Sequence, residues 1–118
     1  QVIISGNTGV KQFVTIGTGV FIGGQSGIDH DVPSFCIALG NRSRLKGVNI
    51  IGLKRLKYKR QTISEVVEFL EDIKASSLSP RAYIDSKNFP HEFSENEIIK
   101  KICFEISTSK LGIVPFVD

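Results

Sequence analysis

Residues 2–31 read VIISGN, TGVKQF, VTIGTG, VFIGGQ, SGIDHD, five successive units of six. An aliphatic residue holds the third place of every unit: Ile4, Val10, Ile16, Ile22 and Ile28. Two places earlier stand Val2, Thr8, Val14, Val20 and Ser26, a second register that Val32 continues. Glycine follows the aliphatic residue at Gly17 and Gly23. A short fixed period of this kind marks a parallel β-helix, in which each hexapeptide is one short strand and one corner. The aliphatic side chains point into the prism, and small residues or glycine turn its corners.

If three hexapeptides make one coil, the first 33 residues supply fewer than two coils. Repeat architectures need about three stacked units to bury a continuous core. The expectation is therefore the C-terminal part of a longer solenoid, or a piece that stacks on other chains. The alternative is a small domain whose helices cap a stub of β-helix.

Asp31-Val32-Pro33 closes the solenoid in this reading, because proline cannot donate to a following ladder. Residues 34–39, SFCIAL, form one more apolar run, Gly40-Asn41 turns, and 42–46 is a basic loop. The pattern then becomes helical, with a short basic helix predicted over 48–57. Thr62-Ile63-Ser64-Glu65 has the form of a capping box opening a helix, with the apolar stripe Ile63, Val66, Val67, Leu70 and Ile73. That helix fades by 75–77, and 76–92 reads as irregular. Ser94-Glu95-Asn96-Glu97 is a second box, with Phe93 and Ile98 spaced as a hydrophobic staple. Ile98, Ile99, Ile102, Cys103 and Ile106 form the buried face of the last helix, which Gly112 and Pro115 end. The apolar tail 113–118 packs on something. The fold class is mainly β plus α: the end of a β-helix over residues 1–40, then a small C-terminal helical domain over 41–118.

The formal net charge is +3. Between Asp31 and Glu65 there is no acidic residue, and that gap holds Arg42, Arg44, Lys46, Lys54, Arg55, Lys57, Lys59 and Arg60. The rest of the chain is net acidic. Cations concentrated in this way imply an anionic partner: a phosphate-bearing ligand, an acidic protein or nucleic acid. No aromatic platform beyond Tyr58 accompanies them, which argues against nucleic acid. Cys36 and Cys103 stand in apolar surroundings, SFCIAL and KICFEI, and read as buried reduced thiols rather than a disulfide or a metal site. No apolar run approaches the ~20 residues of a membrane span. The expected compartment is the cytoplasm.

Three segments together are more distinctive than the repeat: Asp31-Val32-Pro33, Ile37-Ala38-Leu39-Gly40-Asn41, and Gly47-Val48-Asn49-Ile50-Ile51-Gly52-Leu53-Lys54-Arg55. They closely resemble the C-terminal third of the UDP-N-acetylglucosamine acyltransferases. Residues 6–13, GNTGVKQF, are similar to that family's late coils. The resemblance implies a homotrimer of left-handed parallel β-helices, each with a C-terminal helical domain. It implies transfer of a 3-hydroxyacyl chain from acyl carrier protein to the 3-position of UDP-N-acetylglucosamine, the first step of lipid A synthesis. It implies a cytoplasmic enzyme with no metal or other resident cofactor, the acyl donor arriving on the phosphopantetheine arm of the carrier protein.

The family's general base is a histidine, which the resemblance puts upstream of Gln1; His30 and His91 do not replace it and read as surface residues. No catalytic residue is therefore assigned within this chain. Gln12 matches a glutamine near the sugar amide, Gly24 a glycine flooring the acyl groove, Asn49 an asparagine at the nucleotide base, and Arg55 an arginine near the nucleotide phosphates. Read from the residues alone, Gln12 is an outward coil residue, Gly24 a corner glycine, Asn49 a helix cap and Arg55 plain surface. Lys11, Arg42, Ile51 and Leu56 depart from the family's pattern, at positions that often carry two histidines, a glutamate and a second arginine. Arg42, Arg44 and Lys46 are the expected docking residues for an acidic carrier protein. Two alternatives stand beside this: a non-catalytic or truncated relative that trimerises or binds the carrier protein, and a sugar-nucleotide N-acyltransferase.

Overall fold

The computed structural model describes residues 2–86 and 95–116. The six-residue beat becomes three walls. Strands β1 (Ile3–Ile4), β3 (Phe21–Ile22) and β5 (Cys36–Leu39) stack in parallel on the first wall. Strands β2 (Gly9–Val10) and β4 (Gly27–Ile28) stack in parallel on the second, and a parallel bridge from Ile16 to Val32 marks the third. Ile3 lies over Phe21 and Gly9 over Gly27, eighteen residues apart, so three hexapeptides do make one coil. The next turn is two residues shorter, with Phe21 over Ile37 and Ile16 over Val32. The shortening falls between Ile28 and Val32, where the two aliphatic registers exchange.

Val20, Ile22, Ile28, Val32 and Ala38 fill the prism and are at most 2 % exposed. Val2, Ile4 and Val10, in the first coil, are 38–48 % exposed. Gly19 is required where it stands. Its φ is +68°, and a β-carbon there would sit 2.3 Å from the Phe35 ring.

The solenoid does not end at Pro33. β5 continues the first wall, and Pro33 only enters a corner. Nor is 42–46 a loop throughout: strand β6 (Arg44–Val48) pairs antiparallel with β5. Its alternation buries Leu45 and turns Arg44 and Lys46 outward. The tail packs as expected. Val114 is fully buried, Ile113 bridges Asp31, and Phe116 bridges Leu45 along the far edge of β6.

Helix α1 (Ile50–Arg55) is shorter than predicted, because Val48 still belongs to β6 and Lys57 takes a left-handed φ of 65°. Helix α2 (Arg60–Ala75) ends where expected but starts two residues before the Thr62 box. Its cap, Lys59, makes no side-chain bond, and Glu65 instead accepts from Gln61 and Asn96. Phe69, not Val67, completes its buried stripe. Helix α3 (Pro80–Asp85) occupies part of the stretch read as irregular; Ser79 caps it and Pro80 opens it. Helix α4 (Glu97–Thr108) starts at Asn96, whose Oδ1 accepts from the amides of Ile98 and Ile99. The same side chain donates to the Thr62 carbonyl and Glu65, tying α4 to α2. Phe93 and Ser94 of the predicted box and staple lie outside the described residues. The helix stops at Thr108, before Gly112.

Candidate functional site

The predicted residues fall on three different corners of the prism. Asn49 and Arg55 line one groove of about 200 Å³ where the third wall meets the first. Ile3, Gly19, Phe21, Phe35, Ile51, Gly52 and Leu56 complete it. Gly24 lies exposed at the corner between the first and second walls. A β-carbon on Gly24 would stand 3.4 Å from the Gly6 carbonyl and 3.8 Å from Ser5, so a side chain would crowd the adjacent coil. Gln12 lies exposed at the corner between the second and third walls. Within one chain, therefore, the groove unites Asn49 with Arg55 and leaves Gln12 and Gly24 apart.

Asn49 is built into the fold. Its Oδ1 accepts from the Gly52 amide at 3.0 Å, capping α1, and its Nδ2 donates to the Gly19 carbonyl at 2.9 Å. One amide hydrogen and one lone pair remain for a ligand. Gly52 is obligatory beneath it, since a β-carbon would lie 2.6 Å from that Nδ2. Arg55, in the last turn of α1, is exposed and has no acidic partner among the described residues. An unpaired guanidinium beside an apolar groove suits a phosphate, through its planar fork of donors. Ile51 and Leu56, 70 % and 52 % exposed, make the groove's outer walls apolar.

Arg42, Arg44 and Lys46 are all exposed around the β5–β6 turn. Arg44 donates to the Ser43 carbonyl at 2.9 Å. The one ion pair among the described residues is His30 with Asp29, so the cations of the acid-free gap face solvent unpaired. Val10 stacks on Ile28, so Lys11 and Gln12 leave the upper coil at the corner where Asp29 and His30 leave the next. His91 lies outside the described residues.

Two carboxylates that sequence reasoning passed over hold the helical part onto the coils. Asp31 accepts from the Thr15 amide at 2.8 Å and from the Ser109 hydroxyl at 2.6 Å. Glu105, on α4, accepts from the Ser34 amide at 2.8 Å and from the Ser34 hydroxyl at 2.5 Å. Asp31 was visible only as part of the DVP motif, and nothing local marked Glu105. Cys36 is buried and Cys103 half-buried, both free; burial lifts both thiols, Cys103 to about 11. Among the described residues no three of His, Cys, Asp and Glu converge as a metal site.

The family model described as Udp N-acetylglucosamine O-acyltransferase, domain 2, matches residues 31–114. The acyl-[acyl-carrier-protein]–UDP-N-acetylglucosamine O-acyltransferase of Nautilia profundicola is 37% identical over 112 residues, which cover 95% of this chain and 42% of that relative. The solved structure of LpxA from Acinetobacter baumannii matches with a TM-score of 0.86 and 32% identity over 96% of this chain and 43% of its own. The UDP-N-acetylglucosamine O-acyltransferase of Moraxella catarrhalis RH4 matches with a TM-score of 0.84 and 30% identity, over 96% and 43% of the two chains. The chain thus spans about two fifths of the length of the relatives it matches.

Proposed function

The chain belongs to the UDP-N-acetylglucosamine O-acyltransferase family, and on that premise we propose that it is the C-terminal part of an enzyme acylating UDP-N-acetylglucosamine. The reaction moves a 3-hydroxyacyl chain from acyl carrier protein to the sugar 3-position, at the start of lipid A synthesis. The observation that carries this reading is the α1 groove, where unpaired Arg55 and the half-spent amide of Asn49 share one corner. Arg55 takes the nucleotide phosphates, and Asn49 borders the base.

Gln12 and Gly24, on the other corners, join this site only between copies of the chain. That supports a homotrimer of left-handed β-helices, with residues 1–40 as helix end and 41–118 as helical domain. In such an assembly Gln12 meets the sugar amide and Gly24 floors the acyl groove. The general-base histidine comes from coils N-terminal to these residues. No metal or resident cofactor takes part, and the acyl donor arrives on the phosphopantetheine arm of acyl carrier protein. No described helix is long and apolar enough to cross a membrane; we place the enzyme in the cytoplasm, with its nucleotide-sugar substrate. A non-catalytic relative that trimerises or binds the carrier protein is the second reading. It is favoured by the apolar Ile51 and Leu56 on the groove walls.

Carrier-protein docking has a direct test. Arg42, Arg44 and Lys46 are exposed and unpaired, and complementary charge acts mainly on association rate, screened over about 8 Å at physiological salt. Reversing all three to glutamate is expected to slow carrier-protein association about tenfold or more and to flatten its salt dependence. Affinity for the nucleotide sugar should stay within about twofold. Stopped-flow association at two ionic strengths reads both quantities. An unchanged rate and salt slope would remove these three residues from the docking surface.

A further inference from the structure

The coil corners share one backbone conformation. The sixth place of the first four hexapeptides is Asn7, Phe13, Gly19 and Gln25. All four take a left-handed φ, of 57°, 69°, 68° and 57°. Glycine adopts that region freely and asparagine more readily than most residues, but a bulky side chain there is an outlier. Backbone strain of this kind persists only where the surroundings hold it, and it collects at functional sites.

Phe35 shows how such strain is offset within the chain. Its φ is 59°, yet it is only 2 % exposed. Its ring lies against Gly19 and meets the Tyr58 ring edge-on, with centroids 6.1 Å apart. Phe13 holds the same conformation without comparable cover. At 83 % it is the most exposed large apolar residue among those described. With Phe104 and Leu111, 68 % and 38 % exposed, it only rims a cleft of about 320 Å³ between the third wall and α4.

A matching surface stands at the other corner of the third wall. Ile51 and Leu56 form the outer rim of the α1 groove, and Ile3, 41 % exposed, adjoins them. These side chains stay open to solvent in the single chain, as Phe13 does. The two patches differ and lie on different corners, so a contact between Phe13 of one copy and the rim of the next is heterologous. Repeated about a threefold axis, such a contact closes into a ring. Apolar aromatic anchors buried at the centre of an interface carry most of its free energy.

We propose that Phe13 is an anchor between copies of this chain: its ring packs on Ile51 and Leu56 of the neighbouring copy and closes that copy's α1 groove. The placement rests on the shared site that joins Gln12 to the neighbour's groove. Phe13 follows Gln12, and consecutive Cα atoms lie about 3.8 Å apart, so the ring is delivered to the same place. Seated on the rim, it excludes water from the groove's edge and leaves Asn49 and Arg55 to the ligand. Ile51 and Leu56 then serve the assembly, and the groove is complete only when a second copy supplies the aromatic side chain.

The test is sedimentation equilibrium of the whole chain without nucleotide. Its outcome does not depend on whether the groove binds UDP-N-acetylglucosamine, which titration of that ligand tests separately. The unaltered chain is expected to self-associate, and Phe13→Asn to move the dissociation midpoint to about tenfold higher concentration or more. Asparagine suits the left-handed corner, so urea unfolding of the dissociated variant should have an unchanged or higher midpoint than the dissociated parent. Leu56→Ala should weaken association in the same way, and combining the two changes should add little, because both remove one contact. No self-association, or association indifferent to Phe13→Asn, would overturn the anchor. So would a lower unfolding midpoint of the dissociated variant, because the ring would then serve its own fold beside Phe104. Effects of Phe13→Asn and Leu56→Ala that multiply would overturn the contact with the groove rim.

Discussion

Asp31→Ala is expected to lower the unfolding free energy by about 3–5 kcal/mol. Asp31 is 8 % exposed, and its carboxylate receives two hydrogen bonds from elements distant in sequence, Thr15 of the coil and Ser109 beyond α4. Its backbone also bonds in both directions, the amide to Gly112 and the carbonyl from Val114. Alanine keeps those backbone bonds but strands the Thr15 amide and the Ser109 hydroxyl. Hydrogen bonds to a charged group contribute about 1.5–3 kcal/mol each, so the loss of two accounts for the expected change. Asp31→Asn still accepts from Thr15 but upsets only the Ser109 bond, so it should cost about 1–2 kcal/mol. Urea unfolding at one fixed protein concentration reads both values, since association shifts apparent stability. A loss below about 1 kcal/mol for alanine would mean that the tail is held by its apolar contacts alone.

Arg55→Ala is expected to weaken UDP-N-acetylglucosamine binding about tenfold to a hundredfold, and Lys59→Ala less than about twofold. Both are exposed cations near the same helix, so charge alone does not separate them. Location does: Arg55 lines the groove with Asn49, whereas Lys59 lines none of the grooves described and only precedes α2. A charged donor on a phosphate contributes about 1.5–3 kcal/mol, while a solvated lysine contributes little. Arg55 has no acidic partner among the described residues, so its removal leaves no orphaned charge and should not disturb the fold. Equal effects in calorimetry would mean a diffuse basic surface with no special place for Arg55.

The coils were legible because their code is local. A period of six, read in threes, produces the eighteen-residue spacing that stacks Ile3 on Phe21 and Gly9 on Gly27. The two-residue contraction before Val32 was hidden, because Val32 also fits the other register and so disguises the slip. Helix faces were legible from their 3.6-residue stripes, and Ile98, Ile99, Ile102 and Ile106 are all buried. Helix starts were not. The Thr62 box competes with a chain already helical from Arg60, and Asn96 caps α4 because it can reach α2 at the same time. That second contact spans 34 residues and leaves no local trace. The same holds for Glu105 on Ser34, 71 residues away. For the candidate site, the sequence motif brought Asn49 and Arg55 to notice. The structure adds that Asn49 serves the fold as a cap while bordering the groove, so its two readings are compatible.

Acyl transfer itself is the most direct measurement. Residues 1–118 can replace the matched part of the Nautilia profundicola relative, so that the α1 groove meets that relative's own coils. Transfer of a labelled 3-hydroxyacyl group from acyl carrier protein to UDP-N-acetylglucosamine is then followed. The expected result is turnover well above background that falls about tenfold or more on Arg55→Ala. A chimera that folds and assembles, yet neither binds UDP-N-acetylglucosamine nor transfers the acyl group, would contradict the assignment.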